Sequence, residues 1–282
     1  MSTEKPLIAL VQEHLSGDLS DLPVFHSVAV RLQQTLATPN FTIDEVLDLI
    51  SEDQSLSGKV LKVANSSFYA GLSKVATIKE AIVRLGAQEI ANVAMMASQF
   101  ESYKSTNEIL NDNMQGLWKH AFSCAVGAKW LARKAGYPDL AAQAFMGGLL
   151  HDIGKLALLK VLDDIIKSGE SRISLTKPLI DEILLSMHEE VGYNLMRSWC
   201  LPETYAIMSI QHHTAEFDPN NILLVSVRLA NEACRKVGKD IATYTDISLI
   251  SCPEVQALGI KEITVAELEI IVEDAGEVED EM

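Results

Sequence analysis

The sequence predicts an all-α protein, a helical bundle carrying an additional N-terminal helical lobe. Three observations carry this prediction. Ser/Thr-x-x-Glu capping boxes stand ahead of apolar runs at helical spacing, proline sits at a helix start or just past a helix end, and strand-like alternation is scarce. The best short strand candidate is Arg172 to Thr176.

In chain order, Thr42-Ile43-Asp44-Glu45 is a capping box opening a helix that runs to Ile50. In such a box the threonine hydroxyl and the glutamate each satisfy a backbone N–H that the helix leaves free. Leu56, Val60, Val63 and Ala64 form one apolar stripe at helical spacing. Thr77-Ile78-Lys79-Glu80 is a second box, followed by an apolar face of Ile78, Ala81, Ile82 and Leu85 and closed by Gly86. The segment Asn65-Ser66-Ser67-Phe68-Tyr69 reads as a helix cap that packs lobes together, with a partner surface as the alternative. Glu101 to Asn107, then Asn111-Asp112-Asn113, is polar and marks a boundary near residues 101–115. Beyond it come a helical run from Ala121 to Ala132 and a long helix started by Lys177-Pro178, with Pro202 just past its end. Thr264-Val265-Ala266-Glu267 makes a third box. The expected organisation is an N-terminal helical lobe over 1–105, a histidine-bearing helical lobe over 106–262, and a C-terminal helix with an acidic tail over 263–282.

Composition acts mainly by exclusion. A hydrophobic fraction of 48% over 282 residues argues against a disordered or fibrous class. No apolar run approaches the roughly 18 residues needed to cross a bilayer. The stretch Met1 to Pro6 has no basic segment leading into an apolar core, so the expectation is a cytoplasmic protein without membrane contact. The net charge is −16, with 39 acids against 23 bases and no basic cluster, which argues against a nucleic-acid partner. Glu267 to Glu281 holds eight acids and no base, the composition of a solubilising end or an interaction arm. Cys124, Cys200, Cys234 and Cys252 form no Cys-x-x-Cys pair, so they read as small buried thiols in a reducing compartment.

Chemistry concentrates in the histidines. Five of the seven fall between 120 and 213, and one opens the string Leu149-Leu150-His151-Asp152-Ile153-Gly154-Lys155. An adjacent imidazole and carboxylate in an apolar stretch are costly to bury unless something pairs with them, and a divalent metal does so directly. His188 lies on the apolar face shared by Leu184, Val191 and Leu195; His120 follows Trp118 and Lys119; His212-His213 could straddle two ions. Taken singly, a buried histidine is more often a hydrogen-bonded core residue than a ligand, and His212-His213 would also suit a surface loop. The doublet is harder to explain as packing, and the set together points to a metal centre built from facing helices.

The order His, His-Asp, His, His-His is similar to that of the HD superfamily of metal-dependent phosphohydrolases. His151-Asp152-Ile153-Gly154-Lys155, His188-x-x-x-Gly192-x-x-Leu195 and Gln211-His212-His213 resemble its HD-GYP branch, which hydrolyses cyclic di-GMP. The resemblance implies metal ligation by His120, His151, Asp152, His188, His212 and His213, Lys155 near a substrate phosphate, and catalytic roles for Asp152 and Lys155 if the protein is active. Two departures stand out. The Gly-Tyr-Pro loop after His-His is replaced by Thr214 to Asn220, and the downstream aspartate is Asn231, a weaker ligand. Strings in the first lobe resemble the HDOD domain, and the resemblance covers roughly residues 15–235, most of the chain. The strings that carry this are Leu22-Pro23, Ile50 to Leu56, Leu61 to Tyr69, and Thr77 to Gly86 with its Ala-Ile-x-x-Leu-Gly run.

HDOD proteins are bacterial signalling modules related to HD-GYP, most of which have lost several ligands. The implied function is a regulatory signal-transduction module with a retained divalent-metal site of one or two ions. Iron or manganese is favoured, with zinc or magnesium as alternatives, because no thiolate lies near the histidines. A protein partner in a signalling pathway and a nucleotide or phosphate ligand follow as expectations. The alternatives are a working phosphohydrolase acting on a nucleotide or cyclic dinucleotide and, further off, a diiron oxygenase.

Overall fold

A computed structural model of the chain describes residues 5–275 except 18, 20, 21, 67, 70, 72, 171–173 and 241–246. The described residues contain helices and connecting turns and no β-strand. Of the strand candidate, Arg172 and Ile173 lie outside the described residues; Ser174 to Thr176 is irregular and leads directly into a helix.

The first lobe comprises α1 (Leu7–Leu15), α2 (Ser27–Leu36), α3 (Ile43–Ser51), α4 (Gln54–Ala64), α5 (Ile78–Leu85) and α6 (Ala87–Gln99). Thr42 opens α3 with both halves of the capping box in place. Thr77 caps α5 by accepting from Glu80 N, but the Glu80 carboxylate reaches Ala76 N instead of closing a box. Asn65 ends α4 and ties the following loop back by exchanging hydrogen bonds with Val75 N and O at 2.9 Å each, while Phe68 packs edge-on against Phe122. Ser67, in the middle of that segment, lies outside the described residues.

The second lobe is organised around α7 (Glu108–Lys134), 27 residues and so about 40 Å long. Leu110, Met114, Leu117, Ala121, Cys124, Ala128 and Leu131 give it a buried stripe at helical spacing. The polar stretch read as a boundary is in part its first two turns, begun by an Asn107 N-cap bonded to Leu110 N. There follow α8 (Ala141–Leu150), α9 (Ile153–Ser168), α10 (Lys177–Ser198), α11 (Glu203–Gln211), α12 (Ile222–Lys236), α13 (Pro253–Ala257) and α14 (Glu262–Ala275). Helix α7 packs against α8, α12 and α14, α10 against α9 and α11, and α6 against α2, α4 and α8.

Helix α14 starts at Glu262, two residues before the Thr264 box, and Glu267 pairs with Lys134 on α7 rather than capping anything. The acids up to Asp274 thus ride on a packed helix, while 276–282 lie outside the described residues. Cys124 and Cys234 are buried as expected, whereas Cys252 is only partly buried and Cys200 is exposed and takes a positive φ of 51° at the turn from α10 into α11. No helix among the described residues is long and apolar enough to cross a membrane.

Candidate metal centre

The doublet sits at a corner. His151 is the last residue of the α8 turn pattern and Asp152, at φ −103° and ψ 15°, precedes the first turn of α9, so both side chains enter the interior. The helices around this corner approach to backbone contact through glycine. A Cβ on Gly154 would stand 1.9 Å from His188 O, one on Gly148 would stand 2.6 Å from Ala125 Cα, and one on Gly192 would stand 2.2 Å from Ser209 Oγ. Without these side chains α7, α8, α9, α10 and α11 close around one point, to which α7, the α8–α9 corner, α10 and the end of α11 each deliver a histidine.

His120 from α7, His151 at the corner, His188 from α10 and His212 at the end of α11 are all at most 3% exposed, as is Asp152. Their Nε2 atoms converge on the one carboxylate. His120 and His151 lie 3.3 and 3.4 Å from Asp152 Oδ2, and His188 and His212 lie 3.5 and 3.3 Å from Oδ1. The Nδ1 atoms all face backbone carbonyls: His120 to Lys239 O at 2.6 Å, His151 to Gly148 O, His188 to Leu184 O and His212 to Ser209 O at 2.8 Å each. A carbonyl oxygen only accepts, so Nδ1 carries the hydrogen and Nε2 is the atom each ring turns inward, a lone pair wherever the ring is neutral. The Nε2 pairs of His120 with His151 and of His188 with His212 are 3.2 and 3.4 Å apart. Nε2 atoms at that separation share either a proton or a metal ion, and Asp152 Oδ1 is buried without any hydrogen-bond donor. The donor set therefore fits a divalent metal, with outer carbonyls orienting the ligand rings as metal-binding histidines require.

Two ligand groups share Asp152: one joins it to His188, His212 and His213, the other to His120 and His151. His213 is the exposed member, its ring 4.0 Å from that of His212, and opens the centre to solvent. His212 and His213 stand together in the group that holds His188. Lys155, 4% exposed, donates to Asp152 Oδ2 at 2.7 Å. Asn231 is buried on α12 with its side-chain nitrogen unpartnered.

Electrostatics separate the rings. Burial holds His151 well below the ordinary imidazole range and pushes His188 down to about 4. For His120 burial acts in the same sense but is outweighed by Asp152 and Asp240, which raise it to about 9. Desolvation likewise opposes ionisation of Asp152, yet Lys155 and the imidazoles hold its carboxyl well below the usual range. Burial opposes the Lys155 charge too, and Asp152 and Asp240 reverse the balance and raise it.

Sequence reasoning missed two residues here. Arg228 on α12, its side chain 11% exposed, donates to the carbonyls of Gln211, His212 and Thr214 at 2.9, 3.1 and 2.8 Å and pairs with Glu254 at 2.7 Å. It thereby fixes the chain that carries His212 and His213. Asp240 follows the carbonyl that holds His120 and brings a second carboxylate into the field of His120 and Lys155. Neither stands in a motif.

The HDOD domain family model matches residues 22–215. The chain belongs to the HDOD domain family. An uncharacterized protein of Treponema pallidum (strain Nichols) is 26% identical over 227 residues, 78% of this chain and 44% of that protein, so the chain spans less than half the length of that relative. Among solved structures, an HDOD domain protein of unknown function from Geobacter sulfurreducens superposes with a TM-score of 0.75 at 23% identity, covering 98% of each chain. A protein from Shewanella amazonensis SB2B, proposed to be a metal-dependent phosphohydrolase, gives 0.64 at 19% identity, covering 95% of this chain and 99% of its own. A proposed signal transduction protein from Marinobacter aquaeolei VT8 gives 0.68 at 22%, covering 96% of this chain and 65% of its own. At these identities the likeness establishes the fold.

Proposed function

We propose that this chain is a signal-transduction module whose buried histidine–aspartate centre holds a divalent transition metal, iron or manganese, and that it acts through a protein partner rather than through turnover. The observation that carries this reading is the convergence of four carbonyl-anchored imidazoles on Asp152. A cluster of core histidines has no need of four inward Nε2 atoms, and a metal does. The bound ion would supply positive charge and Lewis acidity. The chain's own residues do the rest: the carbonyls orient the rings, Asp152 supplies the negative charge, Lys155 offsets part of it, and the surrounding helices exclude water. Burial favours regulation, because ligands at most 3% exposed leave His213 as the point of access. The acidic surface, with net charge −16, suits a basic face on a protein partner better than a polyanionic substrate.

A second reading, a working phosphodiesterase, draws on the two ligand groups that share Asp152. The name of the Shewanella protein points the same way. One experiment separates the two. Metal content is measured by elemental mass spectrometry on untagged protein, beside a His188→Ala/His212→Ala variant, and the metal-loaded protein is assayed against cyclic di-GMP and bis(p-nitrophenyl) phosphate. Bound iron or manganese that the variant lacks, with no turnover of either phosphodiester, is the expected result. Metal-dependent turnover would replace the regulatory reading by the hydrolase, and absence of metal after reconstitution would remove both.

A further inference from the structure

We propose that the seam between the two lobes holds a second site, a cleft that binds a nucleoside monophosphate. Arg84, Lys129 and Arg133 receive its phosphate, and Phe68 and Trp130 flank its base. The inference stands apart from the metal reading and does not rest on it.

A cavity of about 510 Å³ opens where α5 and α6 meet α7 and α14. That volume is in the range of sites that bury a small organic molecule. Lys129, in its wall, stands roughly 13 Å further along α7 than His120, and no histidine lines the cavity, so it is distinct from the metal centre. The walls divide by chemistry. Phe68 and Trp130 contribute rings, and Leu85, Val126 and Ile271 contribute aliphatic surface, a bed for a flat apolar group. The charged lining is three cations and one carboxylate, namely Arg84, Lys129, Arg133 and Glu89. This local surplus of positive charge is the reverse of the chain as a whole, whose net charge is −16.

The carboxylate is already engaged, with Lys129 and with the Tyr69 hydroxyl. Arg84 meets only backbone carbonyls. Its Nη1 donates to Ser73 O at 2.9 Å and its Nη2 to Ala64 O, while its buried Nε has no acceptor. Arg133 is exposed, and among the described residues it pairs with no carboxylate. It stands near enough to Lys129 and Tyr69 to act on both electrostatically. Acids one turn away do not restore the balance. Glu80 bonds Ala76 N, Glu267 pairs with Lys134 beside Trp130, and Asp274 faces solvent. Cations gathered without matching carboxylates repel one another and call for an anion. A phosphate monoester, at about −1.5 to −2 near neutral pH, matches the surplus of three cations over one acid, and a guanidinium fork suits its oxygens. The rings beside it suit a base, since every base has a face that stacks on an aromatic side chain.

The test titrates AMP and GMP into the full chain by isothermal titration calorimetry, with adenosine and inorganic phosphate as the two halves of the ligand. A nucleotide is expected to bind at a single site, with adenosine and phosphate each weaker by roughly tenfold or more. Arg133→Gln, a change at an exposed side chain, is expected to weaken nucleotide binding by roughly tenfold, as loss of a hydrogen bond to a charged group does. The His188→Ala/His212→Ala variant is expected to bind nucleotide as the wild type does; should it fail to fold by circular dichroism, chelator-stripped wild type takes its place. No heat from either nucleotide overturns the proposal. So does adenosine or phosphate alone binding as tightly as the nucleotide, or an affinity that Arg133→Gln leaves unchanged. Nucleotide binding lost with the metal or its ligands would move the site to the histidine centre and overturn the proposal too.

Discussion

Asp152 is the only carboxylate in either ligand group, so its rings are held by backbone and not by charge. That division explains which residues were legible. An imidazole–carboxylate doublet inside Leu-Leu-His-Asp-Ile-Gly is conspicuous because burying it is costly, and His188 announces itself by its place on an apolar face. Arg228 gives no such signal. In the sequence it is one cation among others on an amphipathic helix, and the carbonyls it binds lie 14 to 17 residues away, at the frayed end of another element. Its role follows from helix chemistry: the last carbonyls of α11 lack intrahelical donors, and one guanidinium bonds those of Gln211 and His212 together with that of Thr214 just beyond. Arg228→Ala is therefore expected to loosen His212 and His213 and to weaken metal binding by roughly 10–100-fold, as losses in the outer shell of a metal site do. Competition with a chromophoric chelator measures it; an affinity equal to that of the wild type would mean that packing alone holds the pair.

At the level of elements, the helices themselves were readable and some of their ends were not. Thr42 and Asn107 act as local caps, decided within four residues. The Thr264 box fails because the helix already begins at Glu262, which places Thr264 inside the first turn with its backbone N–H bonded to Lys261 O. Glycines gave the least warning. Nothing in Ile153-Gly154-Lys155 indicates that a neighbouring helix passes within van der Waals contact of that Cα. Yet the crossing of α9 and α10 at Gly154 and Gly192 brings His188 onto Asp152. Gly154→Ala must push apart two backbones, since the clash is with His188 O and Gly192 N and no flexible side chain can yield. The expected cost is about 1–3 kcal/mol or more by denaturant unfolding, together with loss of metal from protein that still folds. A variant with wild-type stability and metal content would show that the crossing is looser than drawn.

Across the whole molecule, the lobes are joined by polar groups that only their union satisfies. Glu89 on α6 accepts from Lys129 on α7 and from the Tyr69 hydroxyl, and the Lys129 ammonium lies 5.3 to 5.8 Å from the rings of Phe68, Tyr69 and Phe145. Asn92 on α6 donates to Ala142 O at 2.7 Å, and Gln34 on α2 to Trp199 O at 2.8 Å. One apolar core runs through both sets of helices. An N-terminal lobe detached from the histidine lobe would take from Lys129 both its counter-charge and the rings of Phe68 and Tyr69 that cover it. Burial lowers its pKa, and Glu89 is what opposes that shift. Glu89→Ala removes the acceptor of both Lys129 and Tyr69 in an environment only 10 to 12% exposed. Breaking a buried pair from one side costs about 3–5 kcal/mol. At roughly 2–4 °C per kcal/mol for a chain of this size, the melting midpoint should fall by about 6–20 °C. The shape of the transition carries the stronger test. If the lobes form one cooperative unit, the variant unfolds in a single transition at the lower temperature, with far-ultraviolet dichroism and tryptophan fluorescence coincident. If they are independent, the seam contributes nothing to either lobe, and two transitions appear with the midpoint of the histidine lobe unmoved.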